Sequence, residues 1–316
     1  MTYAQGSIID AQDYNTLTGG TAASSTTNRL NTVWAIGSGS AGYGQTAVAN
    51  VTVASTITAT QWASLINTLN SIRTHQSGSG SGITAPVAGN KIDFLSTLQT
   101  QITTSYTNRL TFNTQGATQT GSTTNSVLNV SGATAQTLTF IRTATFASAD
   151  QARYFFNAGG QLNFVIGAGT NTGGTGRGAS LITLATAAGG VTAFRSNTNG
   201  GRTGSGQTQN TNDTAKGYYN LTTSNVTIVS LTTAASPYSA YPSDTVVITA
   251  KTNGLQGSNN DNGTVVTFNT VLTSAAQSTT DGGYNDTINI TIPNRIDVIY
   301  PETTNLSNTW GAVTLG

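Results

Sequence analysis

The spacing of apolar residues changes near residue 110. Before that point apolar residues recur at three- and four-residue intervals, which is the spacing of one face of a helix. Beyond it, short apolar runs alternate with Thr or Asn and end at Gly, Asn or Ser, a pattern typical of strands. We therefore predict a predominantly β, α+β chain. A small helix-containing N-terminal attachment region, residues 1–110, is followed by a β-sandwich or barrel-like domain, residues 111–316.

A short repeat marks two helix starts in the N-terminal region. Ile9–Leu17 aligns with Ile57–Leu65, with Ile, Ala, an aromatic residue and Leu at the same offsets. Thr58 and Gln61 have the spacing of a capping box, and Asp10 and Asp13 have the same spacing in the first copy. The second copy continues as a helical stripe that ends near His75, and a further helix opened by Asp93 is expected through Phe94, Leu95, Leu98 and Ile102.

Eight apolar runs beyond residue 110 are predicted to be strands, because most are rich in β-branched residues. The glycine-containing stretches 167–178 and 196–211 between them are predicted to be surface loops. The eight predicted strands are Val127–Val130, Leu138–Ile141, Leu162–Ile166, Val226–Leu231, Val246–Ala250, Val265–Leu272, Ile288–Ile292 and Ile296–Tyr300.

The chain is poor in the side chains that enzymes use. Charged residues make up 7% of it, with one Glu (Glu302), one His (His75) and no Cys. General acids, general bases, nucleophiles and metal ligands come mostly from these residue types. We therefore expect a structural building block with no catalytic residue, cofactor or metal. His75, at a helix end, is interpreted as a capping or solvated residue.

Charge and hydropathy also limit the partners. The net charge is +1 without a basic stripe, so nucleic acid is not expected to bind. No apolar run approaches the ~20 residues of a membrane span, and the first residues lack a signal-peptide pattern. The chain is expected to be made and folded in a cytoplasm.

Three segments contain residue types found in ligand sites. The glycines of 174–178 lack the Lys-Ser/Thr ending of a phosphate loop, so a plain loop is predicted. Residues 259–263 offer oxygen ligands but no distal Glu, which leaves a weak calcium site as an alternative to a turn. Asp281 and Asp286 are interpreted as turn caps, with a glycosidase pair as the alternative.

An aromatic and glycine segment, Trp34–Gln45, lies between the two repeat copies. It has two interpretations: a docking surface on which Trp34 and Tyr43 engage a neighbouring subunit, or a small helical core in which Trp34 and Trp62 are buried. The core interpretation is preferred for Trp62.

A second aromatic segment, Asp150–Phe164, is predicted to be a hairpin. Tyr154, Phe155 and Phe156 would lie on a sheet, Asn157 would begin a turn, and Gly159 and Gly160 would supply positive φ before the next strand. Arg153 is expected either to stack on a ring or to bridge to Asp150.

Both aromatic segments resemble structural proteins of tailed bacteriophages. The Ala-Arg-Tyr-Phe-Phe-Asn-x-Gly-Gly core of 152–160 is the most specific part of the likeness. The opening Tyr3-x-x-Gly6-x-Ile8, Asp13–Leu17, the Trp34 and Gly42–Gln45 loop, and Asn308–Gly311 around Trp310 are similar to such virion proteins too. The likeness covers about a quarter of the chain.

The resemblance implies a virion component of the tail, fibre or baseplate, assembled in the host cytoplasm. Its partners would be other virion proteins and other copies of itself, with a trimer expected. A capsid decoration or head-fibre protein is one alternative. A tail adhesin that binds a host-surface glycan, or a depolymerase, is another.

Overall fold

The computed structural model describes residues 9–19, 29–35, 39–173, 176–193, 207–210, 221–233, 241, 243–254, 262–276 and 286–316. The fold is α+β and rich in strand, with 28% helix and 31% strand, as predicted. The described helices are Ala11–Thr18 (α1), Leu30–Trp34 (α2), Ala59–Ser77 (α3), Leu95–Thr107 (α4), Ala149–Asn157 (α5) and Gly176–Ala188 (α6).

The strands form two six-stranded antiparallel sheets. Sheet A contains Gln115–Gln119 (β1), Thr124–Ser131 (β2), Gln161–Ile166 (β4), Thr170–Asn171 (β5), Gly190–Ala193 (β6) and Thr287–Pro301 (β11). Sheet B contains Gln136–Thr145 (β3), Gln207–Asn210 (β7), Val226–Thr233 (β8), Thr245–Thr252 (β9), Val265–Ser274 (β10) and Thr314–Leu315 (β12).

Both predicted helix caps are present. The Asp13 backbone N–H donates to Asp10 at 2.9 Å, and the Thr58 backbone N–H donates to Gln61 at 2.7 Å. Each box is closed by the reciprocal bond, so two otherwise unpaired donors are satisfied at each helix start. The expected start of α4 at Asp93 is wrong, since Phe94 precedes the helix without a side-chain cap.

Sheet A is built on the long strand β11. The sequence predicted two strands, Ile288–Ile292 and Ile296–Tyr300, but they are one strand that passes through Pro293. On one side of β11 the paired strand changes from β4 to β5 near Pro293. The Pro293 carbonyl accepts from the Gly167 N–H at 2.8 Å on this side. Proline has no backbone N–H, and no hydrogen bond between strands requires one where β4 gives way to β5. A proline is therefore tolerated inside β11.

The two sheets face each other with a helix between parts of them. Phe164 of sheet A stacks on Phe268 of sheet B with ring centroids 5.3 Å apart. Elsewhere α6 packs against β11 on one side and against β8, β9 and β10 on the other. The helix α6 was not predicted from the sequence, because its first residues belong to the glycine stretch 167–178 that was predicted to be a loop.

The predicted hairpin at 150–164 is wrong, since Tyr154–Phe156 lie in α5 and not in a strand. The Gln151 N–H donates to the Ser148 hydroxyl at 3.1 Å, which caps the helix. Ala152, Phe155 and Phe156 are spaced i, i+3 and i+4 and are all buried, so the aromatic pair serves a helical face. A turn at 158–160 then leads into β4.

The helices α1 to α4 precede residue 108, and the described strands follow residue 114. Buried apolar side chains from both parts form one continuous cluster. Whether residues 1–110 fold as a separate unit therefore stays a prediction. In the described part of the chain, no helix has the length and apolar character that crossing a membrane requires.

Candidate functional site

Several residues that the sequence singled out, Tyr43, Arg153, Tyr154, Asn157 and Trp310, lie in one internal region, which we call the junction. It consists of loop residues 39–45, the α5 residues Arg153, Tyr154 and Asn157, and residues 302–310. The loop comes from the helical N-terminal part, while α5 and residues 302–310 belong to the strand-rich part. The junction therefore connects the two parts of the chain.

Two side chains of α5 hold the loop by its backbone. Arg153 donates to the Ala41 carbonyl at 2.6 Å, and Asn157 donates to the carbonyls of Gly39, Ala41 and Gly42 at 3.0 to 3.2 Å. Both side chains are buried. Because they bond to main-chain oxygens, they bind the loop through its conformation rather than through its side chains.

Arg153 also makes both of the contacts predicted as alternatives. Its guanidinium carbon lies 4.7 Å from the centre of the Tyr154 ring, and Nη2 lies 3.0 Å from the exposed Asp150 carboxylate. Burial raises the pKa of the Tyr154 phenol, and the adjacent Arg153 charge opposes that shift. Arg153 therefore stacks on Tyr154, forms an ion pair with Asp150 and donates to the Ala41 carbonyl at the same time.

Residues 302–310 hold the other side of the loop. The Gln45 amide bonds both backbone groups of Ser307, accepting from its N–H at 2.8 Å and donating to its carbonyl at 2.9 Å. The Thr309 hydroxyl donates to the Tyr43 carbonyl at 2.9 Å. Trp310 is buried beside this contact, with 1% of its surface exposed. The loop is thus held from two directions.

The only His and the only Glu of the chain meet at one edge of the junction. His75 Nδ1 lies 2.9 Å from Glu302 Oε1, across 227 positions of sequence, and both side chains are buried. Glu302 Oε2 accepts from the backbone N–H groups of Thr304 and Asn305 at 2.6 and 2.9 Å. The interpretation of His75 as a solvated residue is therefore wrong.

The surroundings of Glu302 favour its ionised form. Burial raises its pKa, but the hydrogen bonds from His75 and Asn305 and the charge of His75 outweigh burial and lower the pKa to about 2. A cavity of about 300 Å³ adjoins the pair and is lined largely by neutral polar residues such as Asn113, Gln115 and Thr303. The pair connects α3 to residues 302–305. Because the His75 side chain is fully buried, its imidazole is not exposed to solvent.

The sequence-predicted aromatic residues of the helical part are buried or half-buried. Tyr43 is fully buried, its hydroxyl donates to the Arg109 carbonyl at 2.8 Å, and its ring contacts His75 edge-on. Trp34 is half-buried and donates to the Thr46 carbonyl at 2.8 Å. Trp62 is buried against Tyr14 and Phe94, as the core interpretation predicted.

The aromatic pair and the glycines of the motif serve packing. Phe155 contacts Phe156 edge-on at 5.1 Å between ring centres. A Cβ atom at Gly159 or Gly160 would come within 2.6 Å of the Phe112 or Phe155 ring, and Gly159 has φ +92°. Both glycines therefore allow close approach of rings, whereas the predicted positive φ is confirmed at Gly159 and wrong at Gly160.

A second buried polar cluster, around Arg177, was not predicted from the sequence. Arg177 in α6 is fully buried and donates to the Gly132, Thr134 and Ala275 carbonyls at 2.5 to 2.9 Å, and to the Ser274 hydroxyl at 2.7 Å. Buried Asp244 accepts from the Ala275 N–H at 2.9 Å, and burial raises its pKa. Arg177 itself was the available signal, because an arginine in a chain with only 7% charged residues indicates a specific structural role.

Of the two carboxylates considered as a glycosidase pair, Asp281 and Asp286, the structure describes only Asp286. Asp281 lies outside the described residues, as do positions 259–261 of the calcium-like segment. Asp286 accepts a hydrogen bond from the Tyr241 hydroxyl, and burial together with this carboxylate raises the Tyr241 pKa to about 12. Within the described ranges, no group of three or more His, Asp or Glu side chains could hold a metal ion.

Comparisons with protein-family models, curated proteins and solved structures found no significant match. The buried polar side chains of the junction bond mostly to backbone, so they hold separate segments of the chain together.

A substitution at Gly44 tests how tightly the loop is held. Gly44 has φ +73°, and a Cβ atom there would lie 2.4 Å from the Tyr154 ring. Gly44→Ala is expected to lower the free energy of unfolding by about 3 kcal/mol or more, since steric overlap adds to backbone strain. Gly82 has φ +76° with open space around it, so Gly82→Ala should cost only about 1 kcal/mol. Equal losses in urea unfolding would contradict the close packing of Tyr154 on the loop.

Proposed function

We propose that the protein is a structural subunit of a tailed-bacteriophage virion, in the tail, fibre or baseplate. Its role is to assemble with copies of itself and with other virion proteins. The observation that carries this proposal is the junction: the segment that resembles phage structural proteins supplies Arg153 and Asn157, which bind the loop from the helical part. A rigid connection between an attachment region and a strand-rich body suits a load-bearing subunit.

The use of ionisable side chains supports a non-catalytic role. The single His and single Glu are bonded to each other inside the fold, and Arg177 is surrounded by backbone carbonyls and a hydroxyl. A hydrolase requires a proton donor and a base or nucleophile that reach a substrate. In the part of the chain that the structure describes, these groups are occupied in holding segments together.

The alternatives differ in how well the described tyrosines serve them. A glycan-binding adhesin needs exposed aromatic rings on which sugars stack. Tyr43 is buried and Tyr241 is bonded to Asp286, while Tyr218, Tyr219 and Tyr238 lie outside the described residues. The two described tyrosines therefore lend the adhesin alternative no support, and a capsid decoration or head-fibre protein is the alternative location.

Purified virions provide the direct test. Mass spectrometry should detect the chain in particles that have been washed free of host protein, and labelled antibody should mark the tail or its tip in electron micrographs. Labelling of the head would favour the decoration or head-fibre alternative. Absence of the chain from infectious particles would contradict the proposal.

Replacing Asp286 tests the depolymerase alternative. Asp286→Asn is expected to leave infection intact, because an amide oxygen still accepts from the Tyr241 hydroxyl and only about 1 to 2 kcal/mol of stability is lost. Asp281→Asn serves as the companion variant. The measurement is plaque-forming titre, with release of sugars from host polysaccharide by purified protein as a second readout. A folded variant that loses such a hydrolytic activity would overturn the non-enzymatic proposal.

A further inference from the structure

The two faces of sheet B have different surroundings. Alternate residues of β9 and β10 are buried, including Ile248 and Phe268, and face sheet A and α6. The residues between them point outward and are half-exposed, as are the outward residues of β8. On β3 the outward positions Thr137, Thr139 and Ile141 are exposed.

The register lines these outward residues up in rows across four strands. One row runs Thr139, Val271, Val247 and Ser230 through β3, β10, β9 and β8. The next row runs Ile141, Asn269, Thr249 and Thr227. The side chains in both rows are short and similar in length, so the outer face of sheet B is a broad, flat surface.

The chemistry of this face favours burial against protein. Lys251 is the only charged residue at its outward positions on β3, β8, β9 and β10. Desolvating hydroxyl and methyl groups costs far less than desolvating charges. Thr, Val and Ile are also stiff at χ1, so ordering them at an interface loses little side-chain entropy.

The outer face of sheet A differs in these respects. It carries Arg295 and Asp297, which form an ion pair at 2.8 Å, and the strand proline Pro293 lies between neighbouring strands. Arg295 is about a third exposed, so a partner packed on this face would desolvate a charge, and a strand proline is also typical of a face that stays unpaired. The contrast within one molecule singles out sheet B.

We propose that the outer face of sheet B is the surface on which a second copy of this chain packs. A nearly uncharged face is compatible with a partner of the same composition, because no like charges meet and few charges are desolvated. With strands about 4.8 Å apart and about 3.3 Å per residue, four strands of eight residues cover roughly 500 Å² in plan. That area is of the same order as the ~800 Å² of accessible surface that each partner contributes to a standard interface.

A glycan is a poorer match for this face, because no aromatic ring stands at the outward positions for a sugar to stack on. The inference deepens the proposed function and rests on it, since a virion subunit needs contacts with its neighbours. The two fail separately: a monomeric chain found in virions would overturn only the inference, and a self-associating chain absent from virions would overturn only the proposed function.

The experiment compares matched glutamate variants by sedimentation velocity over a range of concentrations. Thr139→Glu places a charge on the outer face of sheet B, and Thr291→Glu places the same charge on the outer face of sheet A. We expect the unmodified chain to self-associate and Thr139→Glu to weaken association at least about tenfold, because its charge would be buried without a partner. Thr291→Glu should associate like the unmodified chain.

Val271→Glu, in the centre of the face, should weaken association more strongly, and circular dichroism establishes that each variant is folded. If Val271→Glu does not fold, the exposed position Thr139 decides the question. An unmodified chain that stays monomeric at about 100 µM, far above the Kd of most specific complexes, would overturn the inference. So would a Thr139→Glu variant that associates unchanged, or a host glycan whose binding Thr139→Glu abolishes.

Discussion

Replacing Arg177 with Met is expected to lower the free energy of unfolding by about 3 to 5 kcal/mol, a large share of the ~5 to 15 kcal/mol of a whole domain. The side chain is fully buried and its guanidinium satisfies the carbonyls of Gly132, Thr134 and Ala275. Met fills similar space but leaves these oxygens without donors and removes the positive charge near buried Asp244.

Arg295→Met is the matched control. Arg295 pairs with Asp297 at 2.8 Å, but about a third of its side chain is exposed, and Asp297 keeps the hydrogen bond from the Gly121 N–H, so the same substitution should cost only about 1 kcal/mol. Arg177→Lys should fall between the two, since it keeps the charge but has fewer donors in a less suitable geometry. Urea unfolding monitored by circular dichroism measures all three. If Arg177→Met and Arg295→Met unfold at the same urea concentration, the structural role of Arg177 is contradicted.

Acid is expected to weaken the fold through Glu302. Its pKa is about 2 in the folded protein, below the ~4.3 of an unfolded chain. A lowered carboxyl pKa stabilises the folded state fully above the unfolded value, and this stabilisation is lost as the pH falls from about 4.3 towards 2. The two values correspond to about 3 kcal/mol that is present at pH 7 and gone near pH 2.

Glu302→Gln isolates this contribution. The variant should be less stable than the unmodified chain at pH 7 and should lack the part of the acid-dependent loss that belongs to this carboxyl. Asp150→Asn is the control, because Asp150 pairs with Arg153 but is 62% exposed, and its removal should cost less than about 1 kcal/mol. Unfolding free energies measured from pH 7 to pH 2.5 provide the comparison. Parallel pH curves for Glu302→Gln and the unmodified chain would show that the buried pair does not stabilise the fold.

Features set by neighbouring residues were predictable from sequence. The two capping boxes at Asp10 and Thr58 depend on residues three positions apart, and they formed as expected. The stripe of α3 and the alternation in β9 and β10 depend on the period of apolar residues, which records the face each element buries. The α+β class followed from the change between these periods.

Features that depend on distant partners were misread or missed. Tyr154, Phe155 and Phe156 have the aromatic character of a strand, but they form a helix in which Phe155 packs against Tyr300, far away in the sequence. The helix α6 begins among glycines and alternates Ala, Thr and Leu, so its register became evident only from the two sheets that enclose it. In both cases tertiary packing outweighed local propensity.

The sequence by itself determined which segments become helix or strand over most of the described chain, and it indicated that the chain is poor in catalytic side chains. Only the tertiary structure decided what the few charged residues do: it brought His75 to Glu302, Arg153 to the 39–42 loop and Arg177 to the 132–134 turn. The reason is physical. Secondary structure is set by residues within one turn or strand, whereas a buried charge must find partners wherever the fold brings them.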